Sequence, residues 1–149
     1  MRIEDEIKQS SFKNEYAKLL VNLLFTGNWI HHYNKKFLKK HQLSPEQYNV
    51  LRILRGQHPS PASINMLNDR MLDKMSNVSR LVEKLRMKDL IIRQESEIDR
   101  RQVDIFITEK GLGLLEEIDQ EIPLVEKMFH NLSEEEASVL NNLLDKLRG

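Results

Sequence analysis

Residues 76–111, SNVSRLVEKLRMKDLIIRQESEIDRRQVDIFITEKG, constrain the fold of this chain more than any other stretch. Ser76 is of a type that caps helices. Val78, Leu81, Val82 and Leu85 follow at i, i+3, i+4 and i+7, an apolar stripe of helical period. Asn77, Arg80 and Lys84 fall three and four apart on the other side and make a polar, basic stripe. The helix should end near Asp89. Leu90, Ile91 and Ile92 come next, then a charged segment, then Val103, Ile105 and Ile107 alternating with Asp104 and Phe106. This predicts two short strands joined by a tip whose sharpest feature is Asp99-Arg100-Arg101. A helix feeding a basic-tipped hairpin is a winged helix in outline.

The preceding residues supply the rest of such a lobe. Ser44 caps a helix, Pro45 takes its first position and Gln47 completes a capping box. Tyr48, Val50, Leu51 and Leu54 form its core face, and Gly56 with Pro59 should end it. Ser60-Pro61 then opens a helix burying Ile64, Leu67 and Met71. Residues 72–75 turn into the helix that Ser76 caps. The two helices make a helix-turn-helix, whose second member enters the major groove of DNA.

Longer helices flank this lobe. From Phe12 the series Tyr16, Leu19, Leu20, Leu23, Leu24, Ile30, Tyr33 and Phe37 keeps helical spacing as far as His41. A helix of about 30 residues would be roughly 45 Å long, so part of its apolar face needs a second chain or a far lobe. Gly27 interrupts it, either as a tolerated lone glycine or as a point of close helix approach at a dimer seam. Residues 1–10 read as a fraying arm. Past the hairpin, Thr108 caps a helix carrying Leu112, Leu115, Ile118 and Ile122, and Pro123 must kink or break it. Ser133 and Glu136 form another capping box, with Ala137, Leu140, Leu143, Leu144 and Leu147 expected inside.

Of the 149 residues, 31% are charged and the formal net charge is zero, which alone argues against a generic nucleic-acid binder. The distribution reverses that. Residues 1–41 hold eight Lys/Arg against four Asp/Glu (+4), and residues 70–101 hold nine against six (+3). Residues 109–149 hold four against ten (−6), so an acidic last third masks basic character elsewhere. The absence of cysteine excludes disulfides, thiolate metal sites and cysteine oxidation switches. No signal-peptide core or membrane-length apolar run occurs, and a cytoplasmic chain is expected. The five histidines lack a His-x-x-x-His pairing, and adjacent His31 and His32 diverge on a helix, so no metal site is expected. No phosphate-binding Gly loop, Gly-x-Ser-x-Gly or His-Glu-x-x-His is present, and no catalytic residues are assigned.

RLVEKL, IIR and DRRQVDIFITEKG, in this order and spacing, resemble the MarR family of bacterial transcription regulators. Its wing signature is Asp-x-Arg, an alternating strand and Leu/Ile-Thr-x-x-Gly. The resemblance runs more loosely from Phe12 to the C-terminus. One departure is Asp89, where the family usually has Gly; a left-handed backbone is expected there, and Asp tolerates one better than most residues. The resemblance implies a mainly α fold with a small β-hairpin wing. Residues 44–108 would form the winged helix-turn-helix DNA-binding lobe, and residues 11–41 and 109–149 the dimerisation helices interlocked with a second protomer.

Three polar residues on a lone helix would ordinarily be a solvated face. Following a helix-turn-helix and preceding a basic wing, they read as a DNA surface. Asn77 suits adenine, and Arg80 suits guanine or phosphate; Lys84 lies on the same stripe. Ser76 and Ser79 suit phosphate or base contacts at the helix start. Arg100 and Arg101 could simply keep a hairpin tip soluble, but the resemblance implies that Arg101 enters the minor groove, with Asp99 orienting an arginine. It also implies a small aromatic or phenolic effector between the dimer helices and the DNA-binding lobe. Trp29, Tyr33, Phe37 and Tyr48 are candidates to line that cavity together, although each singly reads as core. The expected function is a homodimeric repressor binding a pseudo-palindromic operator in double-stranded DNA, with no cofactor. A winged-helix protein-interaction module without DNA binding is the alternative.

Overall fold

The chain, in a computed structural model describing residues 1–96 and 101–149, runs through ten main elements in order. These are α1 (Ile3–Ile7), α2 (Glu15–Lys39), α3 (Pro45–Gln57), α4 (Ile64–Arg70), α5 (Val78–Arg86), β1 (Ile91–Glu95), β2 (Val103–Ile107), α6 (Glu109–Asp119), α7 (Ile122–Glu126) and α8 (Glu134–Arg148). A 3-10 turn, Lys127–Phe129, follows α7. The fold is the expected mainly α chain with a small hairpin.

Several helix starts match their local chemistry. The Ser44 hydroxyl accepts from the Gln47 N–H at 3.2 Å while the Gln47 side chain accepts from the Ser44 N–H at 3.0 Å. Ser133 and Glu136 repeat that box at α8, and Thr108 caps α6. Each such cap stabilises by about 1 kcal/mol. Pro123 breaks the helical run, as expected, by opening α7 two residues after α6 has ended.

Four boundaries differ from expectation. Asn14 caps α2, so the helix starts at Glu15 rather than Phe12. Ser63, not Ser60, caps α4, because Ala62 exchanges backbone hydrogen bonds with Ile105 at 2.9 and 3.0 Å and is held extended beside the hairpin. Asn77, not Ser76, caps α5. Residues 1–10 contain α1, whose Ile3 is buried and whose Glu4 pairs with Lys18 of α2 at 2.8 Å.

The core lies in the lobe formed by α3, α4, α5 and the hairpin. Leu51, Leu67, Val82, Leu85 and Ile105 are wholly buried there, joined by Leu115 and Ile118 of α6. Burial of each such side chain contributes about 1.5–3 kcal/mol. The hairpin pairs antiparallel from Ile91↔Ile107 to Glu95↔Val103, which turns Ile105 and Ile107 inward. Helix α8 behaves otherwise. None of its residues is buried, and Leu140, Leu143 and Leu147 are exposed where an inside position was expected. Their periodicity marks an apolar face, of which only Ala137 and Leu144 are half-covered among the described residues.

Candidate nucleic-acid interface

Helix α5 presents its apolar stripe inward and its polar stripe outward. Val78, Val82 and Leu85 are buried and Leu81 is half-buried, whereas Asn77, Ser79, Arg80 and Lys84 are exposed on the other side. The Asn77 side-chain oxygen accepts from the Arg80 N–H at 3.1 Å. That bond occupies the acceptor half of the carboxamide and fixes the start of the helix. Ser76 sits apart from the exposed group, half-buried, and its hydroxyl has no hydrogen-bond partner among the described residues.

The hairpin root joins α5 to α6 through a compact set of contacts. Asp89 has φ 59, the left-handed backbone expected of it. The Thr108 hydroxyl donates to the Asp89 carbonyl at 2.8 Å and accepts from the Gly111 N–H at 3.0 Å. A Cβ at position 111 would stand 2.4 Å from the Leu90 carbonyl oxygen, so this close approach requires glycine. The Thr-x-x-Gly pattern therefore has a steric cause. Arg101 is exposed on the hairpin arm. Asp99 and Arg100 lie outside the described residues.

A charged bridge runs from α5 to β1. Glu83 accepts from Arg86 at 2.7 and 3.1 Å and lies 3.6 Å from the Arg93 guanidinium. The Arg86 hydrogen bond holds the Glu83 carboxyl below the ordinary glutamate range, with the charges of Arg86 and Arg93 adding to it. Sequence reasoning missed this bridge. The i, i+3 spacing of Glu83 and Arg86 is its visible signal; the Arg93 link depends on how the hairpin folds back.

A cavity of about 610 Å³ lies where α2, α3, α7 and the α4–α5 turn meet. Phe37 and Tyr48 line it; Trp29 and Tyr33 are not among its lining residues. Trp29 is 48% exposed, and the Tyr33 hydroxyl donates to the Leu124 carbonyl at 3.4 Å. Arg52, which the sequence reading passed over, also lines the cavity, its guanidinium 5.9 Å from the Tyr48 ring centroid. The i, i+4 spacing from Tyr48 is the cue that marks it.

Among the described residues no cluster of three His, Asp or Glu side chains is placed to hold a metal ion, and no helix is long and apolar enough to cross a membrane.

The model of the SarA/Rot transcriptional-regulator family matches residues 32–118, from the second half of α2 to the end of α6. The HTH-type transcriptional regulator MhqR of Bacillus subtilis (strain 168) is 32% identical over 131 residues, 87% of this chain and 89% of MhqR. The chain belongs to the MarR family of transcriptional regulators. The HTH-type regulator MgrA of Staphylococcus aureus, another relative, is 32% identical over 116 residues, 78% of this chain and 77% of MgrA. Among solved structures, a MarR-like transcription regulator from Bacillus cereus superposes with TM-score 0.79 at 18% identity, over 90% of this chain and 96% of that one. A mutant MarR from E. coli complexed with operator DNA gives TM-score 0.80 at 21% identity, over 93% and 99%. These two likenesses show the fold. As a MarR-family member the chain is a DNA-binding transcriptional regulator, and its relatives are regulators rather than enzymes.

Proposed function

We propose that this MarR-family regulator acts as a homodimeric repressor on a pseudo-palindromic operator, and that a small aromatic effector modulates its binding. The exposed stripe of α5 carries the proposal. Asn77, Ser79, Arg80 and Lys84 share that face, and Arg101 stands on the adjoining hairpin. The stripe meets the major groove, and the wing arginines Arg100 and Arg101 reach phosphates and the minor groove. Two recognition helices in a two-fold dimer would read half-sites about one turn apart, roughly 34 Å.

The outer helices, within residues 11–41 and 109–149, supply the dimer seam. Leu20 and Leu24 of α2 and Leu143 and Leu147 of α8 are more than half exposed in the single chain. A groove of about 850 Å³ between α2 and α8, walled by Leu23, Ile30 and Leu144, is the natural seat for apolar side chains of the second protomer. Gly27 lines this groove, and an added Cβ there would meet nothing within 4 Å in one chain.

The effector would take the cavity under Phe37 and Tyr48. A solved MarR-fold relative is described in a 2,4-dichlorophenol-bound form, and another as regulated in DNA binding by 6-hydroxynicotinic acid. Both are compact aromatic hydroxyl compounds, and this cavity is lined by aromatic rings and one guanidinium. Selection of bound fragments from sheared genomic DNA tests the operator reading. A recovered pseudo-palindrome whose affinity falls steeply with salt is expected. A folded dimer that enriches no fragment, at any salt and after ligand removal, would favour the protein-interaction reading instead.

A further inference from the structure

The turn between α4 and α5 sets how the recognition helix leaves the lobe, and its internal hydrogen bonds are local. The Ser76 N–H donates to the Asp73 carbonyl at 3.2 Å, the Met75 N–H to the Asp73 side chain at 2.9 Å, and Lys74 to the Asp69 carbonyl at 2.6 Å. One bond comes from elsewhere in the fold. The Leu72 N–H donates to the side-chain oxygen of Asn49, on α3, at 2.9 Å. Asn49 and Leu72 both line the cavity beneath Phe37 and Tyr48, and Arg52 stands on the same helix one turn further on. A single carboxamide thus touches both the cavity and the first residue of the turn.

We propose that Asn49 is a positioning residue for the recognition helix, holding the α4–α5 turn from the cavity wall until an occupant's hydroxyl competes for its oxygen. The release step rests on reading the cavity as the effector site; the positioning step does not. Asn49 need not touch DNA to act. When a phenolic O–H turns the Asn49 carboxamide into the cavity, its oxygen leaves the Leu72 N–H, and the turn keeps only its local bonds. The occupant then favours the loosened turn over the DNA-competent one, and this difference in binding is what changes operator affinity.

The test compares wild type, Asn49→Ala and Asn49→Asp on the operator fragment recovered by selection, first without ligand. Asn49→Ala should bind roughly threefold to tenfold more weakly, the usual effect of one lost hydrogen bond. Its Leu72 amide should exchange faster with solvent, and its melting temperature should stay near that of wild type. Asn49→Asp keeps the acceptor and should restore both affinity and exchange. Wild-type affinity in Asn49→Ala, or no rescue by Asn49→Asp, overturns the positioning role. Titration with 2,4-dichlorophenol then tests release. The probe should lower operator affinity in wild type and lower it less in Asn49→Ala, where the link is already cut. Equal losses in the two proteins overturn release while leaving the cavity reading intact. No calorimetric binding of the probe overturns the cavity reading and release together, and the ligand-free comparison alone then decides the positioning role.

Discussion

The two halves of the α2–α8 framework and the winged lobe solve the burial problem in opposite ways. In the lobe, three short helices and a hairpin close over Leu51, Leu67, Val82, Leu85 and Ile105 until none of these side chains keeps exposed surface. In α8, a helix of 15 residues with an equally regular apolar face buries nothing. Both segments carry capped starts and heptad-like spacing, so local propensity does not separate them. What differs is the presence of a partner surface in the same chain. The lobe is a finished core, while the outer helices leave much of their apolar face uncovered in the single chain.

Breaking the unfinished half should have the largest effect. Leu143→Glu places a charge on the exposed face of α8, where the single chain offers it water and a dimer seam would not. Sedimentation should show the monomer mass with helical content retained; a dimer of wild-type mass would remove this face from the seam. Breaking the finished half costs stability instead. Leu85→Ala should lower unfolding free energy by about 2–5 kcal/mol, measured by denaturant, while the refolded protein remains dimeric. If mass and stability fell together in both variants, the two regions would not be separable.

Smaller effects sharpen the contrast within the lobe. Arg101→Ala should weaken operator binding by about 1–3 kcal/mol in a fluorescence titration, with dimer mass and helicity unchanged. Unaltered affinity would take the wing arginine out of the mechanism. The smallest effect concerns the bridge from α5 to β1. Glu83 has a folded-state acidity stronger than its ordinary value, so its contribution is present above the ordinary glutamate range and is lost as falling pH protonates it. The melting temperature of wild type should therefore fall slightly more than that of Glu83→Gln between about pH 6 and about pH 3.5. Parallel curves would show that the bridge contributes nothing measurable.

Much of this was legible in the sequence where the cause is local. The stripe of Val78, Val82 and Leu85, the boxes at Ser44 and Ser133 and the Thr108 cap each follow from residues within a few positions of one another, while the left-handed Asp89 was expected from the family resemblance. The misreadings share a different origin. Ser60-Pro61 is a good helix start by local rules, and only the pairing of Ala62 with Ile105, 43 positions away, holds that segment extended. Ser76 and Asn77 are adjacent residues of equal capping ability, and spacing does not choose between them. Trp29 shares a helical face with Phe37 but stands eight residues earlier, roughly 12 Å along α2, too far to reach the same cavity. Asn49 announces nothing in its own neighbourhood; its partner Leu72 is found only when α3 and the turn are brought together.

The threonine that bonds both Asp89 and Gly111 has a mechanical meaning. At that point the end of α5, the base of the hairpin and the start of α6 are riveted into one corner, with no room even for a methyl group between Gly111 and the Leu90 carbonyl. A corner of this kind does not hinge. A tilt imposed on α6 from the far end of the molecule turns the end of α5 and the root of the hairpin through the same angle. Whatever freedom α5 keeps then lies at its other end, in the α4–α5 turn that Asn49 holds, and not at this corner.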